Sequence, residues 1–106
     1  KKYFLDVDKC HEIIPSTIFR PPYGQISLSQ IRQLKKKFKI VMWDVNAWDF
    51  KKHNDMNTCF NNVIKNATKG SIILMHDNIK SEQNVKACLP AVLEYYQAKG
   101  FRFEAL

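Results

Sequence analysis

Apolar residues at Tyr3, Val7, Cys10 and Ile14 recur at helical spacing, and Pro15 follows, so the pattern predicts a helix over Tyr3–Ile14 that stops before the proline. The short apolar run Thr17-Ile18-Phe19 reads as a strand. It ends at Arg20-Pro21-Pro22-Tyr23-Gly24, where prolines and a glycine interrupt both helix and ladder. Ser27 or Ser29 can cap a second helix with Ile31, Leu34 and Phe38 on one side. Lys39–Trp43 is a second apolar strand, followed by a polar loop from Asp44 to Asp55. Cys59, Phe60, Val63, Ile64 and Ala67 mark a third helix ending near Gly70. Ser71–Met75 is the third strand. A last helix over Ser81–Lys99 carries Val85, Leu89, Val92, Leu93 and Tyr96, with a kink expected at Pro90 and a stop at Gly100. The alternating tail Phe101–Leu106 reads as a final strand.

The order is αβαβαβαβ, which implies right-handed crossovers and a parallel sheet. Continuous apolar runs at Lys39–Trp43 and Ser71–Met75 suit strands buried on both faces. With 106 residues, 45% apolar and 25% charged, the chain is globular in composition and sized for one domain at most. No apolar run approaches the roughly 18 residues that span a bilayer, and Lys1–Asp8 lacks the features of a signal peptide. Three cysteines, Cys10, Cys59 and Cys88, lack CxxC spacing and are expected as buried free thiols. The formal charge is +7. Its densest run, Lys35-Lys36-Lys37 with Lys39, closes an amphipathic stretch and reads as a solvated face, and no nucleic-acid-binding motif accompanies it.

Functional groups of parallel α/β folds gather beyond the carboxyl ends of strands. Arg20 follows the first strand, Asp44, Asn46 and Asp49 follow the second, and His76-Asp77 follows the third. A guanidinium, a carboxylate and an imidazole at three consecutive strand ends make a site the expected reading, although each alone has a structural explanation.

Phe19-Arg20-Pro21-Pro22-Tyr23-Gly24, Trp43-Asp44-Val45-Asn46-Ala47-Trp48-Asp49-Phe50 and Ile72-Ile73-Leu74-Met75-His76-Asp77 resemble, in order, the third, fourth and fifth motifs of the polysaccharide deacetylases, carbohydrate esterase family four. The resemblance runs through Leu89-Pro90 and Gly100–Phe103 and covers essentially the whole chain. It implies an α/β fold, the C-terminal half of a distorted (β/α) barrel with parallel strands alternating with helices. It also implies that residues 1–106 are the C-terminal portion of one catalytic domain. The family's Asp-Asp pair, which includes the general base, and its His-x-x-x-His type motif have no match here. His11 and His53 lack partners at such spacing and read as helix or surface residues. The divalent metal that the resemblance implies, with zinc the expected ion, would therefore take its ligands from outside this chain.

By resemblance, Arg20 would orient the missing base and the Tyr23 backbone N–H would stabilise the oxyanion. His76 would be the general acid, with Asp49 as the carboxylate that favours its charged form. Leu74 and Phe50 would line the acetyl pocket. Trp48 could stack on a sugar, whereas Trp43, ending a strand, reads as core. Two departures touch substrate preference: Phe50 stands where tryptophan is frequent, and Asn46 where aspartate is common. The implied activity is metal-dependent removal of N-acetyl or O-acetyl groups from a polysaccharide or oligosaccharide, extracytoplasmic or at the cell envelope, with these residues alone inactive. The competing reading is a noncatalytic carbohydrate-binding or assembly module. Half a barrel also leaves an open sheet edge, so apolar surface should be exposed for the missing half or a second copy to cover.

Overall fold

Residues 1–106 are described by a computed structural model, in which contacts group the chain into two compact units, Lys1–Met42 and Trp43–Leu106. In the first unit, helix α1 (Lys2–Ile13) ends next to Pro15 as its sequence dictates. Strand β1 (Ile18–Phe19) pairs in parallel with β2 (Lys39–Ile40), and between them lies helix α2 (Leu28–Leu34). Helix α2 starts at a reciprocal cap: Ser27 Oγ accepts the Gln30 N–H at 3.2 Å and Gln30 Oε1 accepts the Ser27 N–H at 2.7 Å. Val7, Leu34 and Phe38 form the buried centre, with Phe38 lying just past the end of α2. Lys35, Lys36 and Lys37 are exposed, as a solvated run should be, and Lys37 meets Asp8 at 2.8 Å.

In the second unit, β3 (Val45–Asn46) pairs in parallel with β4 (Ile73–Leu74), and helices α3 (Met56–Asn66) and α4 (Glu82–Ala98) pack around Ala47, Cys59, Val63, Cys88, Val92 and Tyr96. The buried Tyr96 hydroxyl donates toward the Val63 and Ala67 carbonyls at 3.4 and 3.2 Å, so it closes the C-terminal end of α3. Helix α4 ends in a Schellman motif. Phe101 N–H reaches Tyr96 O and Gly100 N–H reaches Gln97 O, both at 3.0 Å, and the Phe101 ring packs edge-on against Tyr96 at 5.2 Å. A Cβ at Gly100 would meet nothing within 4 Å, so its φ of +81° alone calls for glycine there.

Several expectations change. The tail Phe101–Leu106 forms no strand, because Phe101 is turned back onto α4 by the helix cap. Strand β3 emerges inside the segment expected to be a polar loop, and the strands form two separate two-stranded sheets rather than one. Helix α4 runs unbroken through Pro90, whose exposed position leaves the carbonyl one turn earlier open to water. Its buried face is Cys88, Val92 and Tyr96, while Leu89 and Leu93 are exposed. Trp43 is half-buried, not core. Cys10 is exposed, contrary to the expected buried thiol, whereas Cys59 and Cys88 are fully buried. Exposed apolar side chains are present, among them Ile13 and Ile14 at the end of α1 and Leu89 and Leu93 on α4.

Burial pushes the Cys88 thiol up to about 11 and raises that of Cys59 as well. Both stay protonated at pH 8, where the thiolate is the reactive species. Brief iodoacetamide treatment of the native protein at that pH should therefore label Cys10 alone, with Cys59 and Cys88 labelled only after unfolding, as mass spectrometry would read. Because the folded-state value of Cys88 lies above its ordinary 9.0, the stability it supports is complete below pH 9 and declines as pH rises toward 11. A denaturation series across that interval should show the loss.

Candidate functional site

The β3–β4 ladder carries the site and then gives way to side chains. Val45 lies opposite Ile73 and Asn46 opposite Leu74, and the Ala47 N–H extends the pairing to Leu74 O at 3.0 Å. In parallel register the next bond would run from His76 N–H to Ala47 O. Trp48, however, adopts a left-handed conformation with φ of 57°, which ends the strand. Each orphaned group then finds a side chain: Ala47 O accepts from Asn62 Nδ2 at 3.3 Å, and His76 N–H donates to Asp49 Oδ2 at 2.6 Å.

Asp49 thereby grips His76 twice, since its Oδ1 lies 2.7 Å from His76 Nδ1. A carboxylate there accepts a hydrogen bond from Nδ1–H, which fixes the tautomer and turns Nε2 away from Asp49. The carboxylate is buried, at 1% exposure, whereas the His76 side chain retains 30%. Phe50 meets the imidazole edge-on at 4.8 Å and an interplanar angle of 71°, and Trp48 lies 5.6 Å from Phe50. Lys51 Nζ sits 4.4 Å from the centre of the Trp48 ring, and Lys80 Nζ 5.9 Å from that of Phe50. The result is an aromatic shelf beside a half-open imidazole.

The strained turn is held by amides. The left-handed backbone of Trp48 costs about 1–2 kcal/mol, against which its N–H donates to Asn46 Oδ1 at 2.9 Å and its carbonyl accepts from Asn54 Nδ2 at 3.0 Å. Asn84, from the first turn of α4, donates to Asp49 O at 3.0 Å and Asn54 O at 2.9 Å. Asn54 and Asn84 were missed by sequence reasoning, because single asparagines in a loop and a helix carry no local signal for contacts 30 and 35 residues away.

The residues singled out in the sequence divide between the units. Asp49, His76, Phe50 and Trp48 come together in the second, and Leu74 stands half-buried opposite Asn46 on β4. Asp44 serves structure, its Oδ2 accepting the Ile72 N–H at 2.7 Å, and Asp77 is exposed. Arg20 and Tyr23 belong to the first unit. There the Arg20 guanidinium donates to the carbonyls of Val41 and Met42 at 3.3 and 3.2 Å, beyond the end of β2. Tyr23 is 94% exposed in a single 3-10 turn, Pro22–Gly24, with φ of 56°, and its N–H makes no hydrogen bond to the chain. His11 packs edge-on against Phe38 at 5.3 Å, and His53 is exposed. No three His, Cys, Asp or Glu side chains lie close enough to share a metal ion, and His76 Nδ1 is already committed to Asp49. The residues of this chain do not make a metal site.

No family model matches the chain. It is 35% identical over 89 residues to a peptidoglycan-N-acetylglucosamine deacetylase of Bacillus cereus, an alignment covering 82% of this chain and 32% of that protein. Among solved structures, the Bc1960 peptidoglycan N-acetylglucosamine deacetylase superposes with a TM-score of 0.78 at 34% identity, over 85% of this chain and 42% of the other. The polysaccharide deacetylase Bc1974 from Bacillus cereus gives 0.72 at 29% identity, over 91% and 51%. A carbohydrate esterase family four pseudoenzyme from Bacillus anthracis shares the fold, at 0.69 and 20% identity over 79% of this chain and 28% of that one. The chain thus spans about a third of the curated relative's length and about half or less of these structures.

The buried grip predicts a specific response to Asp49→Asn. Its side-chain carbonyl can still accept the His76 N–H, but its NH₂ then faces Nδ1 and forces the proton to Nε2. Nitrogen-15 NMR of the imidazole should show the tautomer reversed. Asp49→Ala, which leaves both His76 donors unpaired, should lower the unfolding free energy by about 2–3 kcal/mol in denaturant titrations.

Proposed function

This chain is related in sequence and fold to the polysaccharide deacetylases, carbohydrate esterase family four, and from that we propose that it supplies the acid side of a hydrolase removing acetyl groups from an acetylated glycan. The observation that carries the reading is the Asp49–His76 pair, with Nδ1 bound to a buried carboxylate and the ring half-open beside Phe50 and Trp48. An N-acetylated sugar is the favoured substrate class. Its amide nitrogen needs a proton to depart, and a positioned imidazolium supplies one.

In the proposed step, His76 donates its Nε2 proton to the sugar nitrogen as the carbon–nitrogen bond of the tetrahedral adduct breaks. The amine leaves with that proton, the acyl carbon departs as acetate, and the imidazole retains its Nδ1–H on Asp49. Phe50 and Leu74 give the acetyl methyl an apolar wall, and Trp48 offers a face to a sugar ring. The unbonded Tyr23 N–H is the donor for the oxyanion. Arg20 holds the base in place, through the part of its donor set that Val41 and Met42 leave free.

The C-terminal half of a (β/α) barrel is the proposed context. The exposed Ile13, Ile14, Leu89 and Leu93 favour a covering partner, either the remaining half or a second copy. The divalent metal, zinc as the expected ion, and the base would be held by residues outside these 106, since this chain has no ligand set. Action on the cell envelope follows from the same reading. The second reading is a noncatalytic glycan-binding or assembly module, and the observation that favours it is the pseudoenzyme sharing the fold.

The isolated 106-residue chain should release no acetate from N-acetylated oligosaccharides with added zinc or cobalt. Metal-dependent turnover by it would refute the half-domain reading. In a longer protein carrying the remaining motifs, His76→Ala should reduce acetate release at least 100-fold, roughly the scale of general-acid catalysis, with metal content unchanged. Retained activity would remove His76 from the acid role.

A further inference from the structure

We propose that Asn84 is a positioning residue for the Asp49–His76 pair, acting through the backbone of the 46–54 turn. The inference builds on the acid role given to His76 above, but its structural part stands on separate observations. Beyond Ala47 the turn has no ladder to hold it, because Trp48 leaves the strand. Its path is fixed by two backbone bonds, Lys51 N–H to Trp48 O at 3.3 Å and Asn54 N–H to Lys51 O at 3.0 Å, together with side-chain amides. Asn46 Oδ1 holds the Trp48 N–H, and Asn54 Nδ2 holds the Trp48 carbonyl. All of these bonds lie inside the turn and do not tie it to a helix.

Asn84 makes that tie. Its two amide protons go to two carbonyls of the turn, Asp49 O at 3.0 Å and Asn54 O at 2.9 Å, so one side chain on α4 pins both the residue bearing the carboxylate and the end of the loop. A planar NH₂ can satisfy two carbonyls at once, which a hydroxyl or a carboxylate cannot. The dependence of His76 on this pin is geometric. Asp49 accepts from His76 at 2.6 and 2.7 Å, distances that a backbone shift of about an ångström would break at both oxygens. Asn84 Nδ2 bonds to the turn and not to His76, so its influence runs through Asp49.

Asn84→Asp tests this with little change in volume, because it replaces the NH₂ that makes both bonds with an oxygen facing two carbonyls. The readout is the His76 Nδ1 proton, which a carboxylate partner shields from exchange and shifts downfield. In nitrogen-15-histidine-labelled protein this resonance should be sharp in the wild type and broadened beyond detection in Asn84→Asp. Tyr96→Phe, which removes a buried hydroxyl of the same unit that bonds to the end of α3 and not to the turn, should keep it, even though it also lowers stability. Should Asn84→Asp fail to fold, Asn84→Ser, with one donor for two carbonyls, is read the same way. An unchanged resonance in the folded variant, or its equal loss in Tyr96→Phe, overturns the proposal. In the longer enzyme, kcat should fall 10–100-fold with KM within twofold, as for a misplaced catalytic group. A lost resonance with kcat unchanged would instead remove the acid role from His76 while supporting Asn84's positioning of the pair.

Discussion

A carboxylate removed from water governs the second unit. Asp49 is almost fully buried, and a buried charge is tolerated only where its oxygens are bonded. Both oxygens find donors on one residue, His76, through its main chain and its ring. That two-point attachment requires β3 and β4 to lie side by side and in register, because the carboxylate takes over the ladder at the step where the backbone stops. Two-residue strands suffice for this purpose. Their role is to deliver Asp49 and His76 to each other, and the packing of α3 against α4 supplies the stability that so short a sheet cannot.

The helices are defined by local chemistry, so they were legible. Pro15 ends α1, Ser27 with Gln30 opens α2, and Gly100 closes α4; each rests on contacts within a few residues. The strands were legible as apolar runs but not in length or partnership. Val45-Asn46 sits among Asp44, Trp48 and Asp49, with no apolar run to announce it, and exists because Ile73-Leu74 offers a partner 28 residues away. The tail alternates like a strand, yet the helix cap commands Phe101. Where a nearby interaction competes with periodicity, the nearby interaction wins.

The site was legible to the extent that its motifs are. Asp49, His76 and Phe50, each singled out in the sequence, meet beyond the ends of β3 and β4, and the phenyl edge at the imidazole keeps an apolar wall where an indole would add a donor. Asn54 and Asn84 were not legible, since their importance lies in which carbonyls they meet. Of the apolar positions expected to face the core from α4, Val92 and Tyr96 are buried while Leu89 and Leu93 are exposed, and Cys88 completes the buried face, because two adjacent apolar stripes satisfy the same helical period.

The acid side of the proposed chemistry is complete within residues 43–106: the imidazole, its carboxylate, the aromatic shelf and the amides that hold the turn all come from the second unit. Arg20 and Tyr23, for which the base-side and oxyanion-side roles are proposed, come from the first. A fold built this way can lose hydrolysis without losing its acid geometry, because nothing that orients His76 depends on a base or a metal. The persistence of a well-formed Asp49–His76 pair is therefore compatible with either an enzyme or a glycan-binding relative. What separates the two is whether residues that hold a base and a metal accompany the pair.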